Sequence, residues 1–116
     1  MKSNIIQEKS FEFALKIIEL YKILLDNKEY VISKQLLRSA TSIGANLEES
    51  SSAISRKDFI AKISISSKEA KETKYWLRLL DKSQIVKLNY TPYLTEIDSI
   101  INILCAIVKT SQQNSN

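Results

Sequence analysis

Apolar side chains recur at three- and four-residue steps along four long segments of the chain, the spacing of one face of an α-helix. The first segment runs from about Glu8 to Asp26, and residues 27–29 are predicted to form the turn that follows this helix. Its predicted core face comprises Phe11, Ala14, Leu15, Ile18, Tyr21 and Leu25, widened by Ile17, Leu20 and Leu24.

The second and third segments are separated by a short polar connection. The second begins near Ser33, and its predicted core face is Leu36, Ala40, Ile43, Gly44, Leu47, Ser51 and Ile54. Ser55 followed by Asp58 has the spacing of a capping box, which predicts a third helix from about Arg56 to near Lys82. Its predicted core face is Phe59, Ile63, Ser66, Ala70, Thr73, Leu77 and Leu80.

The fourth segment follows a loop at residues 83–90. Thr91 before Pro92 predicts a helix start, since the missing N–H of proline costs nothing in the first helical turn. Its predicted core face is Leu94, Ile97, Ile101, Leu104 and Val108, and the polar tail 111–116 is expected to fray. Four such helices with short connections predict one all-α domain over residues 1–116, an antiparallel up-down-up-down four-helix bundle.

Composition narrows the chemistry that this domain can perform. The 116 residues are 44% apolar and 26% charged, which is typical of a soluble globular domain. Histidine is absent and glycine occurs once, which removes the commonest general base and any glycine-rich phosphate loop. We therefore expect no enzyme, no cofactor and no small-molecule substrate. Glu49, Glu69 and Glu72 could form a carboxylate cluster, but bundle metal sites use a Glu-x-x-His pattern, so no metal is expected.

The location of the chain is predicted from what its sequence lacks. Cys105 is the single cysteine, which fits a reducing compartment. The first residues show no apolar export segment, and no run approaches the ~18 consecutive apolar residues of a membrane span. These features predict a cytoplasmic protein without a membrane partner.

Positive charge is concentrated on the third segment. Residues 56–82 hold eight basic and four acidic side chains, a balance of +4 that equals the net charge of the whole chain. At about 100° per residue, seven of the eight cations fall on one side of the helix. This basic stripe consists of Arg56, Lys57, Lys68, Lys71, Lys74, Arg78 and Lys82. Three interpretations stay open: a solvated face, a contact surface for nucleic-acid phosphates, or a surface for an acidic protein.

Two further patterns predict contacts between helices or between subunits. The third segment also carries a smaller apolar strip that points away from its predicted core face; it comprises Ala61, Ile65, Tyr75 and Leu79, with Glu72 among them. A contiguous apolar strip outside the core favours homo-oligomerisation over a merely exposed surface. The second segment carries a polar seam, Gln35, Arg38, Ser42, Asn46 and Glu49, expected to meet residues such as Glu69 or Lys62 and to fix helix register.

The run from Leu36 to Glu49, with Asp58-Phe59-Ile60 and the stretch from Lys68 to Leu77, resembles a known family. These are the small four-helix-bundle proteins encoded in intervening sequences of bacterial 23S rRNA genes. The likeness extends from about Phe11 to Leu104, and Glu48 stands where the family more often has alanine. The matching motif residues are Arg38, Ser42, Asn46, Glu49, Glu69, Glu72 and Trp76.

The resemblance implies a helical bundle that assembles into a ring-like homopentamer. A related branch includes the accessory protein of diversity-generating retroelements, which looks like a basic pentamer that engages RNA and a reverse transcriptase. For the motif residues the resemblance implies roles in helix register and subunit packing. The sequence prediction is therefore a non-catalytic, self-assembling bundle that binds structured RNA through helix three. The alternative is an oligomeric adaptor with a protein partner and no nucleic-acid binding.

Overall fold

The structure is a computed structural model that describes residues 2–113, with side chains from Ile5 onward. Its four helices are α1 (Lys2–Asp26), α2 (Ile32–Ser50), α3 (Arg56–Ser83) and α4 (Thr91–Gln113). Each helix packs against its two neighbours, whereas among the described residues no Cα atoms of the diagonal pairs α1/α3 and α2/α4 lie within 8 Å of each other. The described residues form a rod of 49 × 22 × 21 Å. The predicted all-α, up-down-up-down four-helix bundle is confirmed.

The core face of α1 was predicted correctly at Ile17, Leu20 and Leu24, which are buried, but its main stripe was predicted wrongly. Phe11 and Leu15, both assigned to the core, are 61% and 44% exposed. The buried side chains instead follow a second helical stripe, Ile6, Ser10, Phe13, Ile17, Leu20 and Leu24. Both stripes have helical spacing, so periodicity alone does not decide which one faces the bundle. Helix α1 also begins at Lys2, a turn and a half before the predicted start.

The turn between α1 and α2 is organised by one carboxylate. Lys28 takes the left-handed conformation with φ 64°, which ends α1 and brings Glu29 beneath the start of α2. The buried Glu29 carboxylate accepts hydrogen bonds from the N–H groups of Val31, Ile32 and Ser33, the last at 2.6 Å. These donors lack partners within their own helix, and a negative charge also interacts favourably with the positive end of the helix dipole at the N-terminus.

Helices α2 and α3 are joined by hydroxyl groups inside the core. Thr73 Oγ1 lies 2.8 Å from Ser39 Oγ, and Ser66 Oγ donates to the carbonyl oxygen of Ile43 at 2.8 Å. All three side chains that supply these hydroxyls are fully buried. The predicted core face of α3 is confirmed from Ile63 to Leu80, with Phe59 half-buried.

The connection from α2 to α3 differs from the prediction at one end. Helix α2 ends at Ser50, so Ser51 and Ile54 lie outside it, and Ile54 is 94% exposed. The predicted cap of α3 is confirmed, because Ser55 Oγ accepts the Asp58 N–H at 3.0 Å. The carboxylate of Asp58 accepts a hydrogen bond from the N–H of Ile54. In a capping box this bond would come from the N-cap residue itself, here Ser55.

The loop before α4 contributes a core residue that the sequence prediction missed. Tyr90 is fully buried, its hydroxyl donates to the carbonyl oxygen of Val86 at 2.8 Å, and burial raises its pKa. Helix α4 begins at Thr91, one residue before the expected start, and the Asn89 side chain accepts the Thr91 N–H. It continues to Gln113, so positions 111–113 of the expected frayed tail are helical; positions 114–116 lie outside the described residues.

Helix α4 carries more apolar surface than the core uses. Ile97, Ile100 and Leu104 are buried, whereas Ile101 and Val108, both assigned to the core face, are only partly covered. Within residues 2–113, α4 alone is long and apolar enough to cross a bilayer by length and composition, and 17% of that window is buried. A core helix meets the same criterion. The absence of a membrane partner therefore stays a prediction.

Candidate functional site

The basic stripe runs along the outward side of α3. Lys57, Lys68, Lys71, Arg78 and Lys82 are all exposed, and among the described residues none of the five lies in a salt bridge. Lys74 is different, because its Nζ lies 2.7 Å from Asp98 Oδ1 on α4. These five cations, like the exposed Arg56 of the same stripe, are therefore available to an external anion, whereas Lys74 joins α3 to α4.

A cleft between α3 and α4 extends the stripe sideways. Lys68, Lys71 and Lys109 line this cleft of about 460 Å³, together with Ser64 and Ser67. The sequence analysis did not single out Lys109, because it is separated from the stripe by more than twenty positions along the chain. Antiparallel packing of α4 on α3 brings it there, which adds a further cation to this side of the bundle.

Arg38 connects α2 to α3 through two carboxylates. Its guanidinium donates to Glu69 Oε2 at 3.0 Å and to Glu72 Oε2 at 2.5 Å. Glu72 also accepts the indole N–H of Trp76 at 3.0 Å. The bonds from Trp76 and then Arg38 lower the pKa of Glu72, and the bond to Glu72 raises the pKa of Arg38. The predicted contact between Arg38 and Glu69 is confirmed.

Other members of the polar seam on α2 bond locally or across to α3. Ser42 donates to the carbonyl oxygen of Arg38, and the Asn46 side-chain amide donates to that of Ser42. Glu49 Oε1 lies 3.5 Å from Lys62 Nζ, the second interhelical contact expected from the sequence. Arg38 and Glu49 thus each hold α3 in register against α2.

The apolar strip on α3 is solvent-exposed in the single chain. Ile65, Tyr75 and Leu79 are 43%, 52% and 36% exposed. Tyr75 also packs edge-on against Trp76, with ring centroids 5.1 Å apart. The strip lies on the α2 side of the outward face and the basic stripe on the α4 side, so the two surfaces are adjacent.

The arrangement supplies no evident metal centre. In the part of the chain that the structure describes, no group of three His, Cys, Asp or Glu side chains is placed to hold a metal ion. Glu49 faces Lys62, whereas Glu69 and Glu72 face Arg38, so the three carboxylates do not converge.

The fold and the polar network between α2 and α3 define a small, basic four-helix-bundle protein. The chain belongs to the 23S rRNA-intervening sequence protein family, whose model matches residues 2–106. It is similar to a crystal structure of a protein of unknown function from the S23 ribosomal protein family of Bacteroides thetaiotaomicron VPI-5482. The two are 47% identical with a TM-score of 0.89, over 94% of this chain and 99% of that one. A search among curated proteins finds no match.

Proposed function

We propose that this chain is a non-catalytic, self-assembling bundle that contacts the phosphate backbone of structured RNA through the basic stripe of α3. The observation that carries the proposal is the row of five exposed cations without salt-bridge partners among the described residues. From Lys57 to Lys82 the row extends about 38 Å along the helix axis. Spaced cations on a rigid rod suit a phosphate backbone, because each displaces condensed counterions.

Self-assembly would strengthen RNA contacts that are individually weak. The adjacent apolar strip, Ile65, Tyr75 and Leu79 with Ala61, has the exposure expected of a subunit contact. Several copies would present several basic stripes, and linked weak sites bind far more tightly than a single one. The family name refers to an rRNA gene segment, which motivates rRNA as the first RNA to test.

The test is fluorescence-polarisation binding of a structured rRNA fragment across a salt series. Five phosphate contacts predict a slope of log K against log salt of about −4.5 for duplex RNA, taken by analogy with DNA. The variant Lys71→Gln/Arg78→Gln should reduce the magnitude of that slope by about 2. Lys74 stays unchanged, because its bond to Asp98 supports α3 against α4.

The matched control is Lys16→Gln/Lys34→Gln, which removes the same charge from exposed positions on α1 and α2. An equal loss of binding in this control would mean that net charge, rather than the stripe, attracts RNA. No binding at low salt would refute the RNA proposal. It would favour the second candidate, an oligomeric adaptor, which the exposed apolar strip on α3 supports independently of RNA.

A further inference from the structure

Three lysines line the cleft between α3 and α4, and among the described residues no carboxylate joins them there. Lys68 and Lys71 belong to α3, and Lys109 belongs to α4. All three are exposed, and within the described part of the chain none of them lies in a salt bridge. Glu72, one turn from Lys68 along α3, bonds to Arg38 instead. The walls of the cleft are therefore positively charged and accessible to an anion from solvent.

Two contacts show the register of α4 against α3. Ser67 Oγ lies 3.7 Å from Cys105 Sγ on α4. Seven positions further along α3, Lys74 is paired with Asp98, which lies seven positions back along α4. Equal steps in opposite directions therefore keep the two helices level over two turns, which is the behaviour of antiparallel helices packed side by side.

This register directs the lysines of the two helices toward one level of the cleft. Equal steps from Cys105 place Lys109 level with position 63 of α3, about 8 Å along the axis from Lys68. Every Cα–Cβ bond of an α-helix tilts toward the N-terminus of its own helix. On α3 this tilt carries Lys68 and Lys71 toward Lys109, and on the antiparallel α4 it carries Lys109 toward them. The three ammonium groups can therefore reach one anion near the level of Ser67.

The floor of the cleft adds hydroxyl donors and a short apolar surface. Ser64 is half-buried and Ser67 is buried, and both line the cleft together with Cys105 and Val108. Because Ser67 Oγ contacts a sulfur atom, a weak hydrogen-bond partner, this hydroxyl can also bond to a stronger acceptor. The cleft of about 460 Å³ lies within the ~300–1,000 Å³ range of small-ligand sites, so it accommodates a phosphate and part of the sugar attached to it.

We propose, resting on the proposed RNA binding, that this cleft binds a phosphomonoester: the terminal phosphate of an RNA strand. At pH 7 a phosphomonoester carries a charge of about −1.5 to −2 and three strong acceptor oxygens. A phosphodiester inside the strand carries a single negative charge and is bonded to nucleosides on both sides. Three converging lysines and two hydroxyls match the terminal group, whereas the single file of cations from Arg56 to Lys82 suits the diesters of the backbone.

The experiment compares three versions of one RNA hairpin, labelled in its loop, by fluorescence polarisation at constant salt. One version carries a 5′-phosphate, one a 3′-phosphate, and the third ends in hydroxyl groups. The unmodified protein should bind a phosphorylated version about tenfold more tightly than the hydroxyl version, the size expected of a charge-assisted contact. Lys109→Gln should remove this preference, so that the three versions bind alike. The matched control is Arg78→Gln, which removes one charge from the stripe outside the cleft; it should weaken all three versions and keep their ratio.

A small-ligand titration tests the cleft without RNA. The probes are adenosine 5′-monophosphate and adenosine at equal ionic strength, followed through the amide resonances of the protein by NMR. The monophosphate should shift the resonances of Ser64, Ser67 and Lys109, whereas adenosine should not. Lys109→Gln should weaken the response to the monophosphate, because one of the three converging charges is lost.

The outcomes separate the site from the molecule that fills it. A preference for phosphorylated RNA that disappears in Lys109→Gln supports the terminal phosphate as the ligand. Monophosphate shifts without a preference among the RNAs would overturn the RNA-end assignment and leave a site for free phosphomonoesters; if no RNA binds at all, the proposed function falls as well. Equal binding of the three RNAs without monophosphate shifts would overturn the cleft site while the backbone contacts stand. A preference that persists in Lys109→Gln would locate the terminal phosphate elsewhere and also overturn the cleft site.

Discussion

Replacing Arg38 with methionine tests whether its network holds α2 and α3 together. Methionine keeps much of the apolar stem but removes the guanidinium that bonds to Glu69 and Glu72. The Glu69 side chain is 12% exposed, so losing its partner leaves an almost buried carboxylate, which costs about 1–3 kcal/mol. The Glu72 pair involves side chains 51% and 32% exposed, and solvent screening limits its contribution to about 0.2–1 kcal/mol.

We therefore expect Arg38→Met to lower the free energy of unfolding by about 2 kcal/mol. The assay is urea unfolding followed by circular dichroism at one fixed protein concentration, because assembly makes stability depend on concentration. A double-mutant cycle with Glu69→Gln should give a coupling energy larger than the cycle with Glu72→Gln. A total loss below about 0.5 kcal/mol, or a larger coupling to Glu72, would refute the assignment of stability to the bond with the nearly buried Glu69.

Two further predictions concern single positions on α2 and α3. Gly44→Ala should stabilise the protein by about 0.5–1 kcal/mol in the same urea assay, because the added Cβ would meet Ser10 Cβ at an ordinary 3.9 Å and alanine favours the helix. A loss of stability would mean that α1 and α2 are packed too closely at this level. Trp76→Phe should raise the pKa of Glu72 toward its ordinary value, as measured by carboxyl NMR titration, since the indole N–H bond is removed. The lowered pKa of Glu72 stabilises the fold at pH values above the ordinary glutamate pKa, and this stabilisation is lost as the pH falls through the pKa of the folded state. The variant should therefore lose less stability on acidification.

The interior of α2 was predictable because a single stripe of that helix is apolar. Leu36, Ala40, Ile43 and Leu47 have no competing face on α2, and all four are buried. The cap at Ser55 was likewise readable, since its partner lies three residues away. Bonds between neighbouring helices, such as Arg38 to Glu69, could be expected once the polar seam was placed beside the core face.

The misassignment of α1 has a physical origin. Its sequence carries two apolar stripes, and the one with Phe11 and Leu15 is as regular as the one with Phe13 and Ile17. Only the packing of the chain shows which stripe faces the core. Glu29 caps α2 from a few residues away, but this contact depends on the positive φ of Lys28, which a spacing pattern does not reveal. Lys109 joins the basic side only through the packing of α4 on α3.

The hydroxyl bonds between α2 and α3 determine where the bundle opens. Ser39, Thr73 and Ser66 join these helices inside the core, and the salt bridges of Arg38 and Glu49 close the same seam from outside. Helices α1 and α4 contact each other least among the neighbouring pairs, and an apolar groove of about 530 Å³, lined by all four helices, lies at one end of the bundle. Thermal fluctuations should therefore part the rod along α1 and α4 first, while the α2–α3 hairpin persists as the slowest-exchanging cooperative unit.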